Sequence, residues 1–149
     1  MPVKDSLETA EQAIRAIVAS DHTLTVYDDY STEENAARLD ALHEELGIAV
    51  VHIREHVDHP SPNYRWVLNE AQKACIANAN HLVIVESDVI VRQDTIERLQ
   101  EAVKPTTGMV AAVTVNEQGE VNFPYEHAKR VKADGPCKKR FSFCCTLLT

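Results

Sequence analysis

The stretch His81-Leu82-Val83-Ile84-Val85-Glu86-Ser87-Asp88 decides how this chain reads. An apolar run long enough for a fully buried strand ends abruptly in two carboxylates, Glu86 and Asp88. Strand side chains alternate faces, so these acids are expected on one side, roughly 7 Å apart. The carboxyl ends of strands are where open α/β sheets bind ligands. Two oxygen donors there suit a hard divalent ion, and such an ion suits a diphosphate.

Outward from that strand, the pattern alternates between helix and strand. Leu7, Ala10, Ile14, Ile17 and Val18 keep helical spacing. Asp5 and Glu8 stand at capping-box separation before them. Thr23 to Tyr27 is β-prone and ends at Asp28-Asp29. Ser31 and Glu34 form a second capping box, Ala36, Leu39, Leu42 and Leu46 make one apolar face, and Gly47 is a natural stop. Ile48 to Ile53 reads as a strand, Arg54 to Pro62 as a polar loop, and Asn63 to Ala79 as a helix. Beyond the central acids, Asp94 and Glu97 offer another cap-like pair before Ile96, Leu99 and Val103. Met109 to Val115 is a strand, and Asn116 to Gly119 a hairpin turn into Val121 and Phe123. Tyr125 to Lys139 is basic and irregular, and Phe141 to Leu148 is a last strand-like run. Strands separated by helices imply an α/β fold, a mostly parallel sheet with helices on both faces. If both acid-tipped strands belong to it, Asp28, Asp29, Glu86 and Asp88 gather along one edge.

Bulk properties narrow the function. The chain has 149 residues, about one domain, with 44% hydrophobic residues and a net charge of -8. That charge argues against sequence-independent nucleic-acid binding and favours a cation accompanying any phosphate ligand. No run approaches the ~18 apolar residues of a membrane span, and no signal-like pattern opens the chain. The four cysteines, Cys75, Cys137, Cys144 and Cys145, form no C-x-x-C pair. Free thiols in a reducing cytoplasm are the expected state.

The acidic motifs, taken together in order, resemble family 2 glycosyltransferases, which have the GT-A fold. Val26-Tyr27-Asp28-Asp29-Tyr30-Ser31-Thr32 is similar to that family's V-D-D-G-S-T turn. Glu86-Ser87-Asp88 resembles its D-x-D motif, and Val89 to Leu99 the V-x-x-P-D-x-I-x-x-L that follows. Asn63 to Asn69 is similar to the stretch ending in asparagine before that motif, and Pro2-Val3-Lys4-Asp5 to P-x-Y-N at the end of the first strand. The resemblance spans nearly the whole chain. It implies a Rossmann-like nucleotide-sugar-binding core, residues 1–149 forming one partial domain, the donor-binding half. It further implies that Asp29, or Asp28, contacts the nucleobase, with Asn69 nearby. Glu86 would face the ribose or a metal-bound water, and Asp88 would ligate Mn²⁺ or Mg²⁺ on the diphosphate of a UDP-, GDP- or dTDP-linked sugar. The sugar would pass to the hydroxyl of an unknown acceptor.

The chain departs from that pattern. Tyr30 replaces Gly, Glu86 replaces Asp, and Leu68 stands where Arg is common. Set against that pattern, the resemblance implies a first strand cut short and an acceptor half, with its catalytic base, lying outside these residues. The expectation is therefore an incomplete core, truncated at both ends, that transfers no sugar alone and self-associates through an unpaired sheet edge. Two other readings use the same acids. One is a receiver-like Mg²⁺-binding regulatory domain phosphorylated on Asp88; the other is a catalytically dead interaction fragment. A haloacid-dehalogenase phosphatase fits less well, because its nucleophile would be Glu86 where Asp is needed. His52, His56 and His59 match no metal-binding spacing and read as structural or surface residues. Trp66 reads as core packing, and Lys138, Lys139 and Arg140 as a solvated basic loop.

Overall fold

The computed structural model describes residues 1–122, 135–136 and 143–149. Cys137, Lys138, Lys139, Arg140 and most of the basic stretch lie outside the described residues. The chain alternates as expected: β1 (Pro2–Val3), α1 (Leu7–Val18), β2 (Thr25–Asp28), α2 (Glu33–Leu46) and β3 (Ala49–His52). A 3-10 turn at Ile53–Glu55 follows, then α3 (Tyr64–Ala77), β4 (Leu82–Val85), α4 (Thr95–Glu101), β5 (Met109–Ala111) and β6 (Cys145–Leu148).

The strands form two ladders of three. β1, β2 and β3 are parallel neighbours, with Val3 opposite Asp28 and Asp28 opposite His52. In the second ladder β6 lies between β4 and β5 and runs antiparallel to both. The parallel half matches the sequence reading; the reversal of β6 does not follow from it. Apolar patterning marks which residues are buried, and strand direction depends on the connection. The strand expected from Met109 ends at Ala111, and Val115 only bridges Val121 across the hairpin turn. That turn is closed by Gly119 N–H donating to the Asn116 carbonyl at 2.9 Å, with Gly119 at φ 79°.

Alternation along β2 places helices on both faces. Val26 enters a cluster with Ala10, Ala13, Ile14 and Ile17 of α1 and Leu39 and Leu42 of α2. Val85, Ile96, Leu99, Cys145 and Leu147 belong to that same cluster, which joins the two ladders through a shared core. Tyr27 points the other way, toward Ile53 and Val67, with Trp66 and Ala71 of α3 packed beside them. The Tyr27 and Trp66 rings meet edge to face at 6.3 Å. Trp66 is thus a packing residue, as its sequence context indicated.

The helix caps are rearranged relative to the sequence reading. α2 is capped by Thr32, whose hydroxyl accepts from Asn35 N at 3.3 Å. Gly47 ends α2 in the left-handed region at φ 68°, as expected. Asp5 does not cap α1: its Oδ1 accepts from Thr32 N and Asn35 Nδ2, both at 2.9 Å, and so secures the start of α2. The residue preceding α1 is Ser6, which makes no side-chain cap. Asp94 makes none for α4 either. A capping box is a local pattern, and a carboxylate takes whichever orphan N–H the tertiary fold brings to it.

Tyr30 stands where the resembling turn has glycine, and its φ is 65°. The left-handed backbone is kept without glycine, at roughly 1–2 kcal/mol. Two contacts offset this: Tyr30 Oη donates to the Val57 carbonyl, and the Arg54 guanidinium lies 5.7 Å over the ring.

Candidate functional site

Three pieces of backbone meet at the carboxyl end of the parallel ladder: the β1–α1 turn, the end of β2 and the segment after β4. Each is fixed by hydrogen bonds within the protein.

The end of β2 carries Asp28 and Asp29, which face different partners. Asp28 is wholly buried. Its Oδ1 accepts from Ser31 N at 3.0 Å and its Oδ2 lies 2.8 Å from His52 Nδ1. The other ring nitrogen of His52 sits 2.9 Å from Asp40. Burial lowers the His52 pKa, but the bonds to Asp28 and Asp40 outweigh it and hold the imidazole above its ordinary value. His52 is therefore a structural bridge, as expected. Asp29 is 8% exposed and accepts three hydrogen bonds. Ser61 Oγ donates to Oδ2 at 2.7 Å, Asn63 N to Oδ2 at 2.8 Å, and Asn63 Nδ2 to Oδ1 at 2.6 Å. Burial raises this carboxyl, but the Asn63 and Ser61 donors and the nearby Lys4 charge bring it below the usual range. Of the two aspartates only Asp29 keeps any surface, and its three hydrogen bonds leave one of the carboxylate's roughly four acceptor sites for a ligand.

The segment after β4 leaves the strand at once. Val89 N donates to the Glu86 carbonyl at 3.1 Å, so Glu86-Ser87-Asp88-Val89 is a turn and strand alternation does not govern it. Glu86 N donates to the Cys144 carbonyl at 2.9 Å, which fixes the turn against the chain entering β6. Glu86 is half-buried and Asp88 exposed.

Both acids line a cavity of about 420 Å³. Lys4, Ser6 and Thr9, from the β1–α1 turn and the first turn of α1, also border it. Tyr64, the first residue of α3, lines it too, and its buried hydroxyl has no hydrogen-bond partner. Burial, then the charge of Glu86, raises the Tyr64 pKa, so the phenol stays a donor. The cavity is bipolar, a cationic side at Lys4 and an anionic side at Glu86 and Asp88.

The expected convergence of four acids does not occur. Asp28 and Asp29 do not border this cavity; their oxygens are engaged by the loop at residues 61–63 and by His52. Among the described residues no group of three or more His, Cys, Asp or Glu is placed to hold a metal. The donor set does fit an ion that brings its own oxygens. A Mg²⁺-type ion takes one or two carboxylates and completes its shell with substrate phosphates, and Glu86 with Asp88 supplies that number. Asn69 is exposed on α3. At 3.6 residues per turn it lies roughly opposite buried Val67, and it borders neither described cavity. The asparagine at the β2 end is Asn63, 3% exposed, whose buried Oδ1 has no partner. Its position before a helix could have flagged it as a cap, but its side chain turns to Asp29 instead.

No family model matches the sequence, and no curated protein shows significant similarity to it. The fold itself has a counterpart. A solved mannosyltransferase from Pyrobaculum calidifontis, in complex with GDP-Man and Mn²⁺, aligns with TM-score 0.53 and 19% identity. The alignment covers 76% of this chain and 34% of that one, so the chain spans about a third of the enzyme's length. The likeness is one of fold. It agrees with an α/β core that represents part of a larger architecture.

Among the described residues no helix is long and apolar enough to cross a membrane. Cys75 and Cys145 are free thiols.

Proposed function

We propose that this chain is the donor-handling core of a cytoplasmic, metal-dependent glycosyltransferase of the family 2 GT-A kind. The observation that carries the reading is the bipolar cavity at the end of β4, where a D-x-D-like turn faces a lysine. Asp88 and Glu86 would hold Mn²⁺ or Mg²⁺ against the diphosphate of a UDP-, GDP- or dTDP-linked sugar. The bound ion would supply Lewis-acid neutralisation of charge on the leaving nucleotide. Asp29, fixed by Ser61 and Asn63, has the remaining acceptor capacity for a nucleobase N–H.

The fold counterpart supports this reading: a sugar-nucleotide enzyme that takes GDP-Man with Mn²⁺. The antiparallel course of β6 also favours it over a receiver-like domain, whose sheet is parallel throughout. Because the chain spans about a third of that enzyme, we expect the 149 residues alone to bind donor without transferring sugar. Among the described residues β1 is an edge of its ladder, and that edge is the proposed surface for self-association.

The test is calorimetry with UDP, GDP and dTDP, each with and without Mn²⁺. Mn²⁺-dependent binding of at least one, lost in Asp88→Asn, is the expected result. Absence of binding to all three would remove donor handling from the chain.

A further inference from the structure

We propose that Lys4 is a built-in counter-cation for the diphosphate, a specificity residue that works alongside the metal; the inference rests on the donor reading above. Lys4 lines the 420 Å³ cavity that Glu86 and Asp88 also border. Among the described residues no hydrogen bond or ion pair engages it, although two acids, Glu86 and Asp88, line the same cavity. Its field reaches Asp5 and Asp29, adding to the hydrogen bonds that keep both carboxyls below their usual range.

The backbone that presents Lys4 is rigidly held. Val3 on one side is paired into the parallel ladder, its carbonyl accepting from Asp29 N at 2.7 Å. Asp5 on the other side is left-handed at φ 52°, and its N–H donates to Ser31 Oγ at 2.9 Å. The Asp5 carboxylate is clamped to Thr32 N and Asn35 Nδ2. The stem is fixed, and the exposed side chain borders the cavity. In a chain of net charge -8, a positive group in the cavity is what lets an anion approach the acidic turn. Glu86 and Asp88 would hold the metal that neutralises part of a diphosphate, and the charge of Lys4 would be available to the rest of it. A neutral ligand would leave Lys4 unused. In the resembling family motif P-x-Y-N this position is aromatic, so the charge is a feature of this chain.

The test measures binding of GDP and UDP with Mn²⁺ to the wild-type chain, Lys4→Met and Lys4→Arg. Lys4 is exposed, and unfolding curves verify that both variants remain folded. The expected result is roughly tenfold or greater weakening in Lys4→Met, the size of a lost charge-assisted contact, with most affinity retained in Lys4→Arg. Equal affinity of wild type and Lys4→Met would overturn the role of Lys4 while the donor reading stands. So would equal weakening in both variants, because charge would then not be what matters. Failure of the wild type to bind either nucleotide would remove the donor reading and this inference together.

Discussion

Replacing Asp29 by Asn tests how the β2 end is held. In the wild type three donors converge on the carboxylate at 2.6–2.8 Å, two from Asn63 and one from Ser61. A hydrogen bond to a charged group contributes about 1.5–3 kcal/mol and a neutral one about 0.5–1.5, so three bonds lose about 3 kcal/mol in charge assistance. The new amide also turns an N–H₂ toward the donor Asn63 Nδ2. Asn63 can flip its amide and present Oδ1, which now has no partner, recovering about 1 kcal/mol. The net loss is about 2–3 kcal/mol, a fall in Tm of about 6–9 °C for a chain of this size. The pH dependence follows from the direction of the shift. Asp29 titrates below its ordinary 3.8 when folded. Its contribution is therefore complete well above that value and is lost as pH falls through the lower folded value. Melting curves of both proteins from pH 7 to pH 2 read this directly. The gap should be full at pH 7 and shrink below about pH 4, where protonated Asp29 resembles the amide. A gap under 2 °C at pH 7, or one that stays constant to the acid end, would refute this account of the loop.

Other expectations concern separate features. His52 titrates above its ordinary 6.5 when folded, so its stabilising charge is complete below that value and fades as pH rises through the higher one. In urea unfolding, the stability advantage of the wild type over His52→Asn should be full at pH 6 and shrink toward pH 8. Ile14→Ala, at a wholly buried position of α1, should cost about 2–5 kcal/mol in the same assay. Tyr30→Phe removes only the bond to the Val57 carbonyl and should cost about 1 kcal/mol. Burial pushes the Cys145 thiol up to about 11, so at pH 8 iodoacetamide should label Cys145 only after denaturant is added.

The alternation of helices and strands was legible because each element carries its own period. The stop at Gly47 and the turn at Gly119 were legible because both need a left-handed residue. The apolar run before Glu86 was legible as β4, and both Glu86 and Asp88 line the 420 Å³ cavity. What the sequence hid is non-local. Asp28 and Asp29 looked like free acids, yet their partners lie at His52, Ser61 and Asn63, distant in sequence. Asp5 has the spacing of a cap for α1 but serves α2, because the β1–α1 turn folds onto the start of that helix. Lys4 and Tyr64 fall inside the resembling stretches 2–5 and 63–69 without a role of their own there, and only the juxtaposition of β1, α3 and the β4 turn makes them neighbours of Glu86. The direction of β6 has no local signature at all.

The central claim is that the cavity between the β1–α1 turn and the Glu86–Asp88 turn holds a metal-bound diphosphate. A crystal grown with GDP and Mn²⁺ tests it by the anomalous scattering of manganese. The account predicts a peak in direct coordination with Asp88, with phosphate oxygens on the side of Lys4. A manganese peak elsewhere, or a nucleotide seated in the smaller cavity beside His52 and Arg54, would contradict it.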